Sequence, residues 1–406
     1  MNSTDKTTIR LIIVAALGYF VDIYDLIVFN VVKKDSLESM GYIGDSFKAM
    51  EISLFNYQMM GMLIGGILWG IYGDKKGRIA VLFGSIFLYS AANIANAFVT
   101  DATMYGLCRF LAGIGLAGEL GAGITLVAET MHRTKRGYGT MIIVTFGALG
   151  AVAASLIGNS FGWKMTYIIG GIMGIALLLL RAGTFESSMF KEVKESTQKR
   201  GNFFMLFTTR KLFLKYLATI LIGLPVWYVI GILIALSNQF AEAGHVQGKI
   251  LVSKAVMYAY IGLSVGDLFS GFLSQWFKSR KKVVYGYILF SALVSTIYLY
   301  ADNLSEEAFY FLIFLLGIAT GFWALFVTMA SEQFGTNIRS TVTTTAPNFI
   351  RGSVVPMTLS FKYLLPSQGI THAAMIVGCA AFLLAMISTM SVEETFSKDL
   401  DFVELS

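Results

Sequence analysis

An all-α membrane protein with twelve transmembrane helices in two six-helix halves is the fold class this sequence predicts. Three observations carry that reading: the composition, the spacing of the apolar runs, and one polar gap near the middle. Of the 406 residues, 56% are apolar and 14% charged, whereas soluble domains carry about 25% charged residues. Mean hydropathy is +0.68. A chain this poor in charge cannot cover a water-facing surface of its own size. A soluble enzyme and a disordered chain are thereby excluded, as is a nucleic-acid binder, despite a pI of about 9.1. The two cysteines, Cys108 and Cys379, lie in apolar surroundings without a CxxC or Cys/His neighbourhood. They read as small packing residues rather than a disulfide or a metal site.

The apolar runs are each roughly 20 residues, the helical length that crosses about 30 Å of hydrocarbon. They fall at 9–32, 52–73, 79–99, 103–130, 138–160 and 164–183, then at 212–240, 251–277, 283–301, 308–331, 340–365 and 370–391. Open strands would leave backbone groups unsatisfied in lipid, so the runs are helices. The first is too long for a signal peptide and has no cleavage site, so it is expected to stay as a span. The polar stretch 184–211 is read as a cytoplasmic linker between an N-terminal half, 1–183, and a C-terminal half with a short tail, 212–406. Within and beyond that linker, Phe203–Tyr216 reads either as a helix lying on the membrane surface or as a solvated connection. Of the 31 Lys and Arg, 22 fall on the side of the two termini, Arg181 being counted with the central loop. Five fall on the other side (Lys33, Lys34, Lys48, Lys164 and Lys249), and Arg109, Lys254, Arg351 and Lys362 lie within spans. The positive-inside rule then places both termini in the cytoplasm.

Between the second and third runs stands Gly70-Ile-Tyr-Gly-Asp74-Lys75-Lys76-Gly77-Arg78. Gly70 allows close helix approach and Gly77 a tight turn. Asp74, at a helix end, can be latched by basic groups or by the N-terminus of a neighbouring helix. A worn copy spans the end of the eighth run and the loop to the ninth, with Gly271, Gln275 in place of the acid, Arg280 and Lys281. The spacing Glu129-x6-Arg136 recurs as Glu332-x6-Arg339, internal evidence for a repeat. Arg109, Gly113, Gly115, Gly118 and Glu119 mark the fourth run. The first loop motif resembles the signature of the major facilitator superfamily. The fourth run, with Ala128-Glu129 and Arg136-Gly137 after it, resembles that of its metabolite:proton symporter and sugar-porter branches. Phe185-Glu186-Ser187-Ser188 and Val392-Glu393-Glu394-Thr395 are similar to two further motifs of these relatives, without their prolines. Gly18-Tyr-Phe-Val-Asp22-Ile-Tyr-Asp25 is similar to the first span of aromatic-acid and phosphate symporters, with Ile23 in place of glycine. The resemblance implies the major facilitator fold with its substrate site at the midplane. It also implies that Glu129–Arg136 and Glu332–Arg339 form charge pairs that staple the cytoplasmic side.

A charge at the bilayer centre costs about 2.5–3.5 kcal/mol or more, so each one there calls for a function or a partner. Asp22 and Asp25 share a helix face, and Glu119 lies deep in a glycine-rich span; these three are the proton-coupling candidates, the alternative for the aspartates being a structural hydrogen-bonded pair. Arg109, a substrate-binding candidate ten residues before Glu119, need not pair with it directly and could sit nearer the outer mouth or reach Asp22 or Asp25. Asn348 and Arg351 share a face of the eleventh span after the hydroxyl-rich run Ser340–Thr345. Arg351 facing the cavity would favour an anionic substrate; Arg351 paired with Asp267 would be structural. Pro225, Pro347 and Pro356 mark bent helices, and Trp227, Tyr228 and Trp323 are cavity-lining candidates or plain packing residues. His132, His245 and His372 do not group into a metal site, and no hydrolase or nucleotide-binding motif occurs.

The expected function is therefore secondary transport: proton-coupled uptake of a small polar, anionic metabolite by alternating access. No catalytic role and no cofactor are expected, the proton gradient being the energy source. The expected setting is a multi-pass monomer in the inner or plasma membrane, whose partners are its substrate, protons and the lipid bilayer. A proton-independent facilitator or exchanger of a sugar-like or cationic solute is the alternative within the fold. A non-transporting membrane sensor is the alternative outside it.

Overall fold

The computed structural model describes residues 3–131, 136–181, 203–399 and 401–404. The motif at Phe185–Ser188, most of the central linker and His132 lie outside the described residues, as do the side chains of Arg78, Glu129 and Arg136. Among the described residues there is no strand, only an isolated bridge between Gln247 and Ser305. The helices are α1 (Ser3–Ser39), α2 (Gly44–Lys76), α3 (Arg78–Asn96), α4 (Ala102–Leu116), α5 (Glu119–Thr130) and α6 (Arg136–Leu180). After a 3-10 turn at Phe203–Phe207 come α7 (Arg210–Leu221), α8 (Leu224–Tyr228), a π-helical turn (Val229–Ile234) and α9 (Ser237–Ala243). The chain continues with α10 (Val252–Trp276), α11 (Arg280–Tyr300), α12 (Glu306–Thr320), α13 (Trp323–Gln333), α14 (Arg339–Gly352) and α15 (Val354–Ser391).

Local chemistry sets several boundaries. Asp101 accepts the N–H groups of Thr103 and Met104 at 2.8 and 3.0 Å and so starts α4. Thr209, Ser279 and Ser305 cap α7, α11 and α12 in the same way. Among the described residues, ten helical stretches, rather than twelve, are long and apolar enough to cross a membrane. The difference arises where a separating loop was expected. Residues 137–180 and 339–391 run on as stretches of 44 and 53 residues, and each is interrupted at one glycine, Gly162 (φ +73°) and Gly369 (φ +71°). A positive φ there kinks the helix without any polar loop, a backbone that only glycine takes at no steric cost.

Backbone-close packing holds the helices together, the mode that serves in lipid where apolar burial between helices supplies little drive. Gly61 and Gly65 of α2 lie against the backbone at Phe110 and Ile114 of α4, and Gly113 lies against Gln58. The same arrangement recurs 201 residues later. Gly262 and Gly266 of α10 meet the backbone at Phe314 and Ile318 of α12, with Gly317 against Ala259. Helices up to residue 181 pack mainly on one another, as do those from 203 onward, and the main seams between the two groups are α2 on α14 and α6 on α10.

Three sequence expectations change. Phe203, Met205 and Leu206 turn inward, with the Phe203 ring 6.4 Å from Tyr216 and 6.2 Å from Phe349, while Phe204 and Phe207 stay exposed; this run is a half-buried 3-10 turn followed by the start of α7 rather than one surface helix. Lys33 is not a loop residue: α1 continues to Ser39 and buries it. Arg181 is likewise buried at the end of α6 instead of belonging to the central loop. Of the two cysteines, Cys108 is buried and Cys379 is on the outer surface.

Candidate transport site

The centre of the molecule is built where broken helices meet. The α4–α5 and α12–α13 boundaries interrupt single apolar stretches at Gly118 and Gly321, and the π-helical turn widens the helix after α8. Discontinuous helices of this kind expose backbone and side-chain polar groups at membrane depth, where they can serve a ligand. Arg351 of α14 lies at this level, 1% exposed. Its guanidinium stands 5.8 Å from the Trp227 ring and 6.0 Å from the Trp323 ring, within range of the attraction between a cation and an aromatic face. Arg351 Nη1 donates to Asn348 Oδ1 at 3.2 Å. Its Nη2 is 3.9 Å from Asp22 Oδ2, too far for a hydrogen bond. Nε and Nη2 have no hydrogen-bond partner among the described residues, and neither has either oxygen of Asp22. Tyr19, Trp227, Tyr260, Trp323 and Arg351 line a cavity of about 20 Å³, the space of one water. Trp323 Nε1 donates across it to Tyr19 Oη at 3.1 Å.

Asn348 fixes this arginine. Its amide donates to Ala117 O at 2.8 Å and Thr344 O at 2.7 Å, so its oxygen is left facing Arg351. Asp267 does not pair with Arg351: its Oδ1 accepts Ala324 N–H at 2.9 Å and caps the start of α13. Tyr228 is turned out of the cavity, donating to Ala374 O of α15 at 2.8 Å and packing on Gly378. One residue along a helix from Trp227, it points about 100° away.

Two more buried charge groups lie in the first set of helices. Glu119 opens α5 and is clasped by Arg181, whose Nη1 reaches Oε2 at 2.9 Å and whose Nη2 reaches Oε1 at 2.5 Å. Arg181 Nη2 also donates to Val14 O at 3.3 Å, and Gly18 leaves the room that this pair occupies. Sequence reasoning missed Arg181 because it stands at the very end of an apolar run, where a cation is ordinarily counted as loop. Arg109 donates to Asn96 Oδ1 at 3.1 Å and to Asn93 Oδ1 at 2.6 Å, and lies 4.6 Å from the Tyr167 ring. Asp25 packs against Gly170 on that side, its oxygens unpartnered among the described residues. The two aspartates of α1 thus diverge: Asp22 faces Arg351 and Asp25 faces inward toward α6.

At one end the two groups of helices are shut together. Asp74 accepts Ser340 N–H at 3.2 Å, Thr341 N–H at 2.7 Å and the Thr341 hydroxyl at 2.5 Å, all at the start of α14. Gly70 lies against the Thr341 backbone, and Gly77 turns the chain from α2 into α3 at φ +105°. Thr125 and Thr343 share a hydroxyl contact of 2.5 Å across the same seam. Thr343 and Thr345 also bond to carbonyls of their own helix, Arg339 O at 2.9 Å and Thr341 O at 2.6 Å. Glu332 receives Arg280 Nε at 2.7 Å and Nη2 at 2.8 Å, a partner the repeat spacing did not supply, while Arg339 Nε donates to the carbonyls of Ser331 and Phe334. Gln275 and Arg280 both approach Gly137 at the start of α6.

Glu394 caps α11 from the segment after α15, taking the Ser279 hydroxyl at 2.5 Å and the N–H groups of Arg280 and Lys281 at 3.0 and 3.2 Å. Burial pushes its carboxyl up, but Ser279 and the N–H groups of Arg280, Phe396 and Lys281 outweigh that and hold it below its ordinary 4.5. A depressed carboxyl stabilises the fold above its unfolded pKa and loses that contribution as pH falls through its folded value. Glu394→Gln is expected to lower the melting temperature in detergent at pH 7, with the gap to wild type closing below about pH 4.5. A gap that stays constant down to pH 3 would contradict this account of Glu394.

Comparison with known proteins agrees with this architecture. A family model described as Major Facilitator Superfamily matches residues 15–354. A provisionally named niacin/nicotinamide transporter of Bacillus subtilis is 25% identical over 97% of this chain and 98% of its own length. The benzoate transport protein of Acinetobacter baylyi is 23% identical over 82% of this chain and 78% of its own. The gentisate transporter of Corynebacterium glutamicum is 23% identical, covering 93% and 86%. Among solved structures, a proton:xylose symporter superposes with a TM-score of 0.78, at 14% identity and 98% coverage of both chains. At that identity the likeness speaks for the fold.

Proposed function

The chain belongs to the major facilitator superfamily and is a membrane transporter of small metabolites, not an enzyme; from that premise we propose that it takes up a small organic monocarboxylate together with one proton. The observation that carries this reading is Arg351, a buried guanidinium with two nitrogens unpartnered among the described residues, flanked by two indoles beside an unpartnered Asp22. A planar fork of donors suits a carboxylate, and the Trp faces suit a flat ring attached to it. The named cargoes of the relatives, niacin, benzoate and gentisate, have that form.

Charge balance supplies the coupling. The empty cavity with ionised Asp22 and Arg351 is neutral, and so is the cavity with protonated Asp22, Arg351 and a bound monoanion. Proton without substrate leaves a net positive charge, and substrate without proton leaves a negative one. Both are costly at membrane depth, so those states do not rearrange. Glu119, held by Arg181, drops out of the coupling set, and Asp25 with Arg109 serves as a second buried charge group. The two helical groups rock as N- and C-terminal halves about the α2–α14 and α6–α10 seams. Stretches of 44 and 53 residues, at about 1.5 Å per residue, are each long enough for two crossings, which supports twelve spans. The Lys and Arg distribution supports cytoplasmic termini in a plasma membrane, with the Asp74 end cytoplasmic.

One proton with one monoanion moves no net charge. Proteoliposomes containing a pH dye are expected to acidify inside when nicotinate is added outside under an inward proton gradient, with no added drive from membrane potential. Protein-free liposomes set the background for acids that cross lipid unaided. Asp22→Asn is expected to abolish the acidification, while exchange of labelled for unlabelled nicotinate continues at a rate within about tenfold of wild type, since exchange needs only the loaded, neutral cavity to rearrange. Nicotinate uptake without proton movement in the wild type would leave a facilitator.

A further inference from the structure

At the end opposite Asp74 a cleft of about 750 Å³ opens between the two groups of helices. Its floor includes Asn30, Lys33 and Glu51, and the same three residues form the roof of a pocket of about 20 Å³ beneath. That pocket reaches Gly231, adjacent in sequence to Ile230 of the Arg351 cavity. Lys33 and Glu51 therefore stand between the open cleft and the centre. Both are nearly fully buried, at 6% and 5% exposure, and their charged atoms are 2.5 Å apart.

Lys33 also ties the two groups of helices together, its Nζ donating to Ala235 O at 3.2 Å. That carbonyl is available because of the π-helical turn. Ala235 N–H reaches back five residues to Ile230 O, and Gln239 N–H, the regular partner of Ala235 O, bonds Leu236 O instead. Gln239 Nε2 in turn approaches Glu51 Oε1 at 3.5 Å.

We propose that Lys33 and Glu51 form an ion-exchange gate, in which an anion arriving from the cleft takes the place of Glu51 on Lys33 and opens the way to Arg351. Glu51 is freed toward the water of the cleft, so no charge is left buried and alone. As the ammonium follows the anion, its bond to Ala235 O breaks, and the two sides part at that point. The gate itself stands on the ion pair and the cavities; the exchange rests on the anionic-cargo reading of Arg351.

The two parts separate in one experiment. Thr358, which lines the inner pocket, is made a reporter as Thr358→Cys, with Cys108→Ala and Cys379→Ala removing the native thiols. Its labelling by a membrane-impermeant cationic thiosulfonate from the cleft side is timed in proteoliposomes. Glu51→Gln is expected to speed labelling at least tenfold, because it strips the buried ammonium of its counter-charge. The double variant Lys33→Met, Glu51→Met, which leaves no buried charge, is expected to label as fast, and Lys33→Arg to stay slow. Nicotinate outside is expected to speed labelling of the reporter with an intact pair and to add nothing in the double variant. Wild-type rates in both Glu51→Gln and the double variant would overturn the gate. Nicotinate that is transported without speeding the labelling would overturn the exchange. Fast labelling in the variants, with nicotinate neither transported nor effective, would keep the gate and sink the cargo reading.

Discussion

Arg351→Gln is expected to lower kcat/KM for a monocarboxylate by about 30-fold to 4,000-fold. Removing one partner of a desolvated, hydrogen-bonded charge pair costs about 2–5 kcal/mol, and each 1.4 kcal/mol is a factor of ten. Arg351→Lys should recover little of that loss. An ammonium lacks the planar fork, and it would give up the fit between Trp227 and Trp323. The same substitution should leave folding intact, because the guanidinium contributes one hydrogen bond, to Asn348, and a carboxylate contact beyond hydrogen-bonding range. Uptake assays with thermal melts on the same preparations check both halves of this expectation. Full activity in Arg351→Gln would move the substrate site elsewhere.

The second large effect is on stability rather than transport. Glu119→Leu is expected to destabilise the fold by about 3–5 kcal/mol, since it leaves Arg181 buried without its counter-charge. Arg181→Leu should cost a similar amount. The double variant Glu119→Leu, Arg181→Leu should cost far less than the sum, because the desolvation of both charges disappears together. Melting of the four proteins in one detergent measures the coupling. Additive losses would mean that the bidentate contact contributes nothing and would return Glu119 to the list of proton carriers.

How far the sequence foretold this arrangement depended on the range of the signal. Apolar runs and the Gly70–Arg78 motif report local requirements, helix length and a tight turn, and they placed the helices. Lys33 was also within reach: no glycine or proline stands between Gly18 and Gly41, so nothing ends α1 before the lysine. Counting charges at the edge of an apolar run assigned it to a loop instead. Arg181 was misplaced for the same reason. The partners of Glu119, Glu332 and Asp267 come from helices 52 to 62 residues away, and no spacing rule along one helix reaches that far. At Gly162 and Gly369 the apolar runs leave short gaps, where the helix in fact continues with a kink at a single glycine. The Gly61/Gly65 and Gly262/Gly266 pairs were the unread signal, since each repeats a four-residue period that only closely packed helices use.

The hydroxyls of α14 have a consequence for turnover. A seam closed by oily side chains resists water, and one closed by ion pairs must strip or restore hydration at each opening. The Thr343 and Thr345 hydroxyls instead satisfy their donors on carbonyls of their own helix. The Thr343 oxygen, which meets Thr125 across the seam, can exchange that neighbour for a water molecule at nearly equal enthalpy. Parting the helices there leaves little polar debt on either face. The α2–α14 seam is thus built as a wettable bearing, pinned by the anchored carboxylate of Asp74.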